Sequence, residues 1–321
     1  MVNIIKIMLI YYIIIISCTQ IEPLLKKKRV LHFGLDGWLQ KCLNECRHSM
    51  IDLFKIRGSS SFTARTAIQT VSGPGWSNIL CGMDTESSGV VDNSWFAPWF
   101  YQAKNYITSI TGDNVPLPCV FQQIKKQKPE LSINFFYSWN WFINLSNTMI
   151  PKTLDVDQYC PGRDLKAYIE CDEMIIPKVK AILEKDFDYF FVYIGSLDES
   201  GHEYRFCSKE YVQRFNRIND IIQGVFNLFI EKGIFDDTYF ILNTDHGATD
   251  MTTRHGDQNM DNLLVPWMIM GPNIKSNYQI KRNVKNLDIT ATVCKIFGVE
   301  PNPVWKSRSV DEIFIEGFLK P

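Results

Sequence analysis

Short, mostly apolar segments set at long intervals are the feature that most constrains how this chain can fold. They are rich in Val, Ile, Phe and Tyr and lie at residues 30–35, 133–137, 189–194, 239–242 and 266–270. Segments of this length and composition are typical of strands buried on both faces, as in a parallel sheet. Stretches with helical periodicity separate them, including residues 209–232 and residues 172–185, where Pro177 predicts a helix start. The alternation predicts an α/β fold, with a mostly parallel central sheet flanked by helices on both faces.

The first nineteen residues differ from the rest of the chain. Lys6 precedes an apolar run at residues 7–16 that ends in Ser17-Cys18-Thr19. The run is shorter than the ~20 apolar residues of a spanning helix, and it resembles a secretory signal or a lipoprotein signal lipidated at Cys18. An uncleaved anchor is the third interpretation. We therefore expect a signal at residues 1–19, one folded domain at residues 28–321, and a secreted, extracellular or periplasmic protein that meets a membrane only through this anchor or lipid.

The cysteines fit an oxidising compartment. Nine are present, and setting Cys18 aside leaves eight, an even number that suits disulfides. Cys42 with Cys46, and Cys160 with Cys171, are close enough in sequence to pair locally. No Cys-x-x-Cys segment occurs, so we expect neither a thiolate zinc site nor a thioredoxin-type centre.

The charge balance excludes one class of partner. The formal net charge is −1, and the only basic run is residues 26–29. Proteins that bind nucleic-acid phosphates usually carry a basic excess or stripe. We therefore expect no nucleic-acid binding.

Carboxylate and imidazole side chains follow three of the predicted strands. In parallel sheets of this kind, the active site lies beyond the carboxyl ends of the strands. Taken singly, such an aspartate is usually a helix cap or turn former, and a lone histidine is usually structural. Together these residues indicate a metal centre, because zinc takes carboxylate and imidazole ligands where thiolates are absent, and six ligands suit two ions. The set is Asp36, Asp198, His202, Asp245, His246 and His255.

Ser72 is the candidate nucleophile. The sequence Ser72-Gly73-Pro74-Gly75 predicts a tight turn into a helix over residues 76–80, with Gly82 near its end. At the N-terminus of that helix, the dipole and the free amides would favour an anion. The segment alone equally fits a plain serine N-cap.

Five motifs in order resemble those of the alkaline phosphatase superfamily, and most closely its nucleotide pyrophosphatase/phosphodiesterase branch. The resemblance extends from Val30 to about Pro303. It implies an alkaline phosphatase-like sandwich and a catalytic domain over residues 28–321. The motifs are Gly34-Leu35-Asp36-Gly37, the Ser72 turn, Asp198-x-x-Gly201-His202, Thr244-Asp245-His246-Gly247 and Arg254-His255-Gly256.

The resemblance also implies the roles of the site residues. One zinc ion is assigned to Asp198, His202 and His255. The second is assigned to Asp36, Asp245 and His246, with the Ser72 hydroxyl bound to it. Asn93 matches an asparagine that binds the phosphoryl oxygens in this branch. The implied reaction is hydrolysis of a small phosphate ester or nucleotide through a phosphoseryl intermediate on Ser72.

The sequence leaves three alternative functions open. The branch commonly uses threonine where this chain has Ser72, which leaves a phosphomonoesterase of the same superfamily open. A sulfatase would need an arginine that Ser72-Gly73-Pro74-Gly75-Trp76 lacks. A catalytically inactive binding relative is the third alternative. Five aromatic residues would either line a slot for a second ester group or belong to the core: Trp95, Phe96, Trp99, Trp139 and Trp141.

Overall fold

The computed structural model describes residues 27–95, 117–147 and 153–317. The expected signal at residues 1–19 lies outside these ranges. Eight strands form one sheet in the order β4-β3-β5-β1-β6-β7-β2-β8. Their bounds are β1 Arg29–Leu35, β2 Gly58–Arg65, β3 Ile133–Tyr137, β4 Val156–Tyr159, β5 Tyr189–Ile194, β6 Thr238–Thr244, β7 Leu264–Met270 and β8 Tyr278–Gln279.

Helices connect most of these strands. They are α1 Ser49–Arg57, α2 Ser72–Cys81, α3 Thr85–Ser88, α4 Val120–Gln127, α5 Trp141–Asn147, α6 Leu165–Glu173, α7 Ile175–Lys185, α8 Ser196–Tyr204, α9 Lys209–Glu231, α10 Met260–Leu263 and α11 Asp288–Phe297. Short 3₁₀ turns lie at Gln40–Glu45, Phe235–Asp237 and Asp311–Ile313. Within the part of the chain that is described, none of the helices is long and apolar enough to cross a membrane.

Two apolar cores cover the two faces of the sheet. In β5, Tyr189, Phe191 and Tyr193 pack into one core, whereas Phe190 and Val192 pack into the other. Helices α2, α4, α5 and α11 contribute to the first core, and α1, α7 and α9 contribute to the second. Burial on both faces explains why β5 is apolar at every position. The predicted α/β fold with helices on both faces is confirmed.

The sheet is mostly parallel. The pairs β6–β7 and β2–β7 are antiparallel, and the other strand pairs are parallel. Because β7 runs backwards, the chain between β6 and β7 leaves and re-enters the sheet at the same edge. That connection, residues 245–263, carries two of the site histidines.

The predicted elements differ from the structure in detail. Strands β3 and β5 have the expected bounds. The helix expected over residues 76–80 lies in the second half of α2, which ends at Cys81 and is followed by Gly82 in the left-handed conformation. The helix expected over residues 172–185 is divided at Met174, and α7 begins at Ile175, two residues before Pro177. Pro177 still lies in the first turn, where its missing N–H removes no helical hydrogen bond.

The disulfides correct one expected pairing. Cys160 pairs with Cys171 as expected. Cys42 pairs with Cys207, 165 residues away, and not with Cys46. Cys81 pairs with Cys119, while Cys46 and Cys294 are buried and form no disulfide within the described residues. Three disulfides indicate that the domain folds in an oxidising compartment.

Candidate active site

Three neighbouring strands bring the site residues together. The last residue of β1 pairs with the last residues of both β5 and β6. The segments that leave these strands therefore begin at the same level of the sheet. Asp36 follows β1 directly, Asp245 and His246 follow β6, and Asp198 lies in the first turn of α8 after β5.

Asp36 is held by two donors that the sequence did not reveal. Trp76 Nε1–H and Tyr193 Oη–H donate to its Oδ2 at 3.0 and 2.7 Å. Its Oδ1 is thereby directed toward the centre of the site. Gly34 makes this possible, since a Cβ there would lie 2.5 Å from the Trp76 ring. The one sequence signal for a hydrogen bond to Asp36 is the position of Tyr193, a residue with a hydroxyl group near the end of an apolar strand.

Helix α8 presents two site residues on one face. Asp198 and His202 are four residues apart, and Asp198 Oδ2 lies 3.1 Å from His202 Nε2. His255, from the β6–β7 connection, places its Nε2 at 3.1 Å from His202 Nε2 and 3.9 Å from Asp198 Oδ1. These three residues form the outer group, in which the His202 side chain is 40% exposed.

The inner group is fully buried. Asp245 and His246 are 0% exposed and Asp36 is 2% exposed. His246 Nε2 lies 3.3 Å from Asp245 Oδ2 and 3.4 Å from Asp36 Oδ1. The Thr66 hydroxyl donates to the Asp245 carbonyl and fixes the backbone at this point. The sequence around Thr66 carries no signal for this role.

All three site histidines are oriented by backbone carbonyls. The Nδ1 atoms of His202, His246 and His255 lie 2.8–2.9 Å from the carbonyl oxygens of Thr253, Gly247 and Thr70. Each carbonyl requires a proton on Nδ1, which leaves Nε2 as the atom that faces the carboxylates. A neutral ring would direct an Nε2 lone pair at them, so a proton or a metal ion must lie between. This orientation is typical of histidine ligands.

The electrostatics of the site favour a bound cation. Burial, with Asp198 alongside, raises the pKa of Asp36 to about 8. Burial, with Asp36 and Asp198 alongside, raises the pKa of Asp245 well above its usual value. The hydrogen bond with Asp198 raises the pKa of His202 to about 9. Burial, with His255 alongside, lowers the pKa of His246 to about 3.

The donor set fits one or more divalent ions. Two triplets of ligand atoms lie within 4.8 Å of one another: Asp198 with His202 and His255, and Asp36 with Asp198 and His246. Asp198 therefore borders both groups. Among the described residues, Asp198 Oδ1 and Asp245 Oδ2 are buried without a hydrogen-bond donor. Buried carboxylate oxygens without donors, facing imidazole Nε2 atoms, are suited to zinc.

Ser72 lies at the inner group. It is the first residue of α2, whose N-cap is the preceding Val71. Its Oγ lies 3.2 Å from His246 Nε2 and 3.4 Å from Asp36 Oδ1. Gly75 allows this approach, because a Cβ there would lie 2.8 Å from the Asp245 backbone. The hydroxyl is thus directed at the candidate metal ligands.

Asn93 also lies at the mouth of the site. The Gly73 N–H donates to Asn93 Oδ1 at 2.7 Å. The backbone amide after Ser72 is therefore already engaged, and it orients the Asn93 side chain so that its amide N–H groups can face a ligand. Asn93 is exposed, as a group that contacts substrate must be.

Three of the five aromatic residues pack against one another, and one of them, Trp95, lies two residues beyond Asn93. The rings of Trp139 and Trp141 stack at 5.2 Å, and Trp95 lies 5.9 Å from Trp141. Trp141 is buried in the core, whereas Trp95 and Trp139 are half-buried. Phe96 and Trp99 lie outside the described residues. Trp95 and Trp139 are therefore the members of the set with surface left to line a slot.

Comparison with known proteins supports these observations. A family model described as type I phosphodiesterase / nucleotide pyrophosphatase matches residues 30–300. GPI ethanolamine phosphate transferase 1 of Emericella nidulans is 25% identical over 168 residues, which cover 46% of this chain and 18% of the relative. The protein of the same name from Mus musculus is 29% identical over 126 residues, covering 38% and 12%. The matched region spans less than a fifth of these relatives.

Solved structures share the fold. Murine ectonucleotide pyrophosphatase / phosphodiesterase 5 superposes with a TM-score of 0.68 at 11% identity, covering 89% of this chain and all of that one. An inactive form of it was solved in complex with AMP, with a TM-score of 0.67 at 12% identity over 90% of this chain and all of that one. A 2-O GAG sulfatase has a TM-score of 0.68 at 14% identity, covering 90% and 74%. With the match over residues 30–300, the chain belongs to the type I phosphodiesterase / nucleotide pyrophosphatase family.

Proposed function

We propose that the chain is a zinc-dependent hydrolase of the phosphodiesterase/nucleotide pyrophosphatase type that forms a phosphoseryl intermediate on Ser72. The observation that carries the proposal is the position of Ser72 Oγ. It lies 3.2 Å from His246 Nε2 and 3.4 Å from Asp36 Oδ1, at the N-terminus of the buried helix α2. A hydroxyl whose only role was to cap the helix would face the helix amides.

The proposed reaction has two displacements at phosphorus. Ser72 Oγ attacks, its proton is lost, and the bond from phosphorus to the leaving oxygen breaks, so that the leaving alcohol or phosphate takes up a proton. Water then cleaves the bond between Oγ and phosphorus and regenerates Ser72. The helix dipole of α2 and an Asn93 N–H would stabilise charge on the phosphoryl oxygens.

The metal ligands are assigned as follows in this proposal. Asp198, His202 and His255 would hold the outer zinc ion, and Asp36, Asp245 and His246 would hold the inner one. When bound, zinc would supply the positive charge that stabilises the Ser72 alkoxide and the departing oxygen. The carboxylates of the inner group favour this assignment, since their raised pKa values reflect a site that lacks compensating charge.

The substrate is proposed to be a small phosphodiester or nucleotide. The family match and the half-buried Trp95 and Trp139 near Asn93 support a diester or pyrophosphate over a monoester. Transfer of phosphoethanolamine to an alcohol is a second candidate, because the curated relatives are GPI ethanolamine phosphate transferases. Both candidates share the phosphoseryl step and differ in whether water or an alcohol completes the reaction.

Replacing Ser72 tests the covalent step. Ser72→Ala is expected to lower kcat by about 10⁴-fold or more while the protein retains its zinc. Ser77→Ala is the matched control: Ser77 lies in the same helix, is fully buried, and its Oγ has no hydrogen-bond partner among the described residues. Turnover and zinc content per chain are measured for both. Full activity in Ser72→Ala would exclude the phosphoseryl mechanism.

Substrate comparison separates the candidate reactions. We would compare p-nitrophenyl phosphate with bis(p-nitrophenyl) phosphate and a nucleoside p-nitrophenyl phosphodiester. A strong preference for the monoester would reject the diesterase assignment. With a phosphoethanolamine diester and a primary alcohol, hydrolysis releases free phosphoethanolamine, whereas a transferase yields the new diester.

A further inference from the structure

A buried carboxylate outside the candidate active site faces the start of α8. Asp172, near the end of α6, is 0% exposed. Its Oδ2 accepts hydrogen bonds from the backbone N–H of Ser196, at 3.1 Å, and from the Ser196 hydroxyl. Ser196 is the first residue of α8 and is itself fully buried. Asp172 therefore joins two helices at a fully buried point.

The Asp172 carboxylate accepts a hydrogen bond at the start of α8, where the N-cap residue has no side chain that could do so. The first amides of a helix have no partner within the helix and need an acceptor. The N-cap of α8 is Gly195, which has no side chain, and no capping bond is made there. Asp172 supplies the acceptor from a different helix, and its negative charge lies at the positive end of the α8 dipole.

Arg214 of α9 supplies the balancing charge. Its Nη2 lies 3.8 Å from Asp172 Oδ2, and the Arg214 side chain is 8% exposed. Burial raises the pKa of Asp172 to about 6, while Arg214 and Ser196 act in the opposite direction. Asp172 is thus ionised at neutral pH in a place where an isolated charge would be costly.

The position of α8 decides where two candidate zinc ligands lie. Asp198 is the third residue of the helix and His202 the seventh. Any shift of the α8 N-terminus moves both ligand atoms, which lie 3.1 Å apart. From this geometry we propose that Asp172 is a positioning residue for the outer metal group, acting through Ser196 to fix the α8 ligands. This inference depends on the zinc-binding role proposed above for Asp198 and His202.

Zinc affinity tests the proposal. In metal-free protein titrated against a chromophoric chelator, Asp172→Asn is expected to bind one of two zinc ions about tenfold more weakly than the wild type, as is typical for supporting residues of metal sites. The other ion is expected to keep its affinity. Asp220→Asn is the matched control, since Asp220 forms an exposed ion pair with Arg47 and is not part of the site.

A double variant separates positioning from stability. Asp172→Asn leaves the buried Arg214 with Glu173, 3.5 Å away, as its remaining counter-charge, and the loss of the second partner is expected to lower stability. Asp172→Asn with Arg214→Met removes both charges and is expected to regain thermal stability while zinc affinity stays reduced. Wild-type zinc affinity in either folded variant would overturn the inference. A wild-type protein that binds no zinc would instead reject the proposed function.

Discussion

Gly37 offers the sharpest test of the metal assignment. It follows Asp36, has φ +65°, and a Cβ added to it would lie 2.1 Å from Asp198 Oδ1. Gly37→Ala therefore has two effects. The left-handed backbone conformation becomes costly, by about 1–2 kcal/mol, and the new methyl group displaces a candidate ligand.

The displacement can be worked from the structure. Ordinary van der Waals contact for a Cβ begins at 3.4 Å, so Oδ1 must retreat from 2.1 Å by about 1.3 Å. A misplacement of about 1 Å in a catalytic group can cost about 100-fold in rate. We therefore expect kcat/KM for a phosphodiester to fall about 100-fold and the outer zinc ion to be lost first, because Asp198 belongs to that group.

The chain provides a matched control for the backbone effect. Gly233 has φ +69°, and a Cβ there would have no atom within 4 Å. Gly233→Ala should lose similar stability but keep its zinc and its activity. Zinc per chain, kcat/KM and the midpoint of thermal unfolding are measured for both variants. If Gly37→Ala retained zinc and activity as Gly233→Ala does, the role assigned to Asp198 would be refuted.

Two further predictions concern stability. His32 is fully buried between Tyr189 and Asn243, and burial lowers its pKa from 6.5 to about 4. The stability that neutral His32 contributes is therefore fully present above pH 6.5. It is lost as the pH falls toward 4, by up to about 3 kcal/mol in the free energy of unfolding. In urea unfolding between pH 4 and 7, His32→Gln should lose less stability on acidification than the wild type, and parallel curves would contradict the assignment. Replacing both Cys42 and Cys207 with alanine should cost about 2 kcal/mol more than replacing Cys160 and Cys171, because the loops closed are 165 and 11 residues long. Equal losses in urea unfolding would argue against that loop-length reasoning.

Strand burial determined which parts of the fold were predictable. Strands β3 and β5 lie in the sheet interior with both faces covered, and their largely apolar sequences end where the strands end. Strand β2 was missed because three of its residues are serines, and Ser59 gains a partner only in the fold, where its hydroxyl donates to the Lys275 carbonyl. The reversed direction of β7 has no signature in its own sequence, since a buried strand is apolar in either direction.

The site residues were predictable where they follow strands. Asp36 and the Asp245–His246 pair could be located because parallel strands end at one edge. The residues that hold these ligands in place could not be predicted. Trp76, Tyr193 and Thr66 are ordinary core or loop residues in sequence, and they acquire their roles only through contacts made over long separations. The same reason explains the pairing of Cys42 with Cys207, which no local spacing could indicate.

The unequal burial of the two ligand groups has a kinetic consequence under the proposed assignment. The inner group is sealed, with Asp245 and His246 at 0% exposure, whereas the side chain of His202 in the outer group is 40% open to solvent. An ion in the outer group can be captured directly by a competing ligand, while release from the inner group must wait for the surrounding chain to open. The two ions would therefore exchange on different timescales, and brief exposure to a second metal would give a mixed-metal protein with the foreign ion in the outer position.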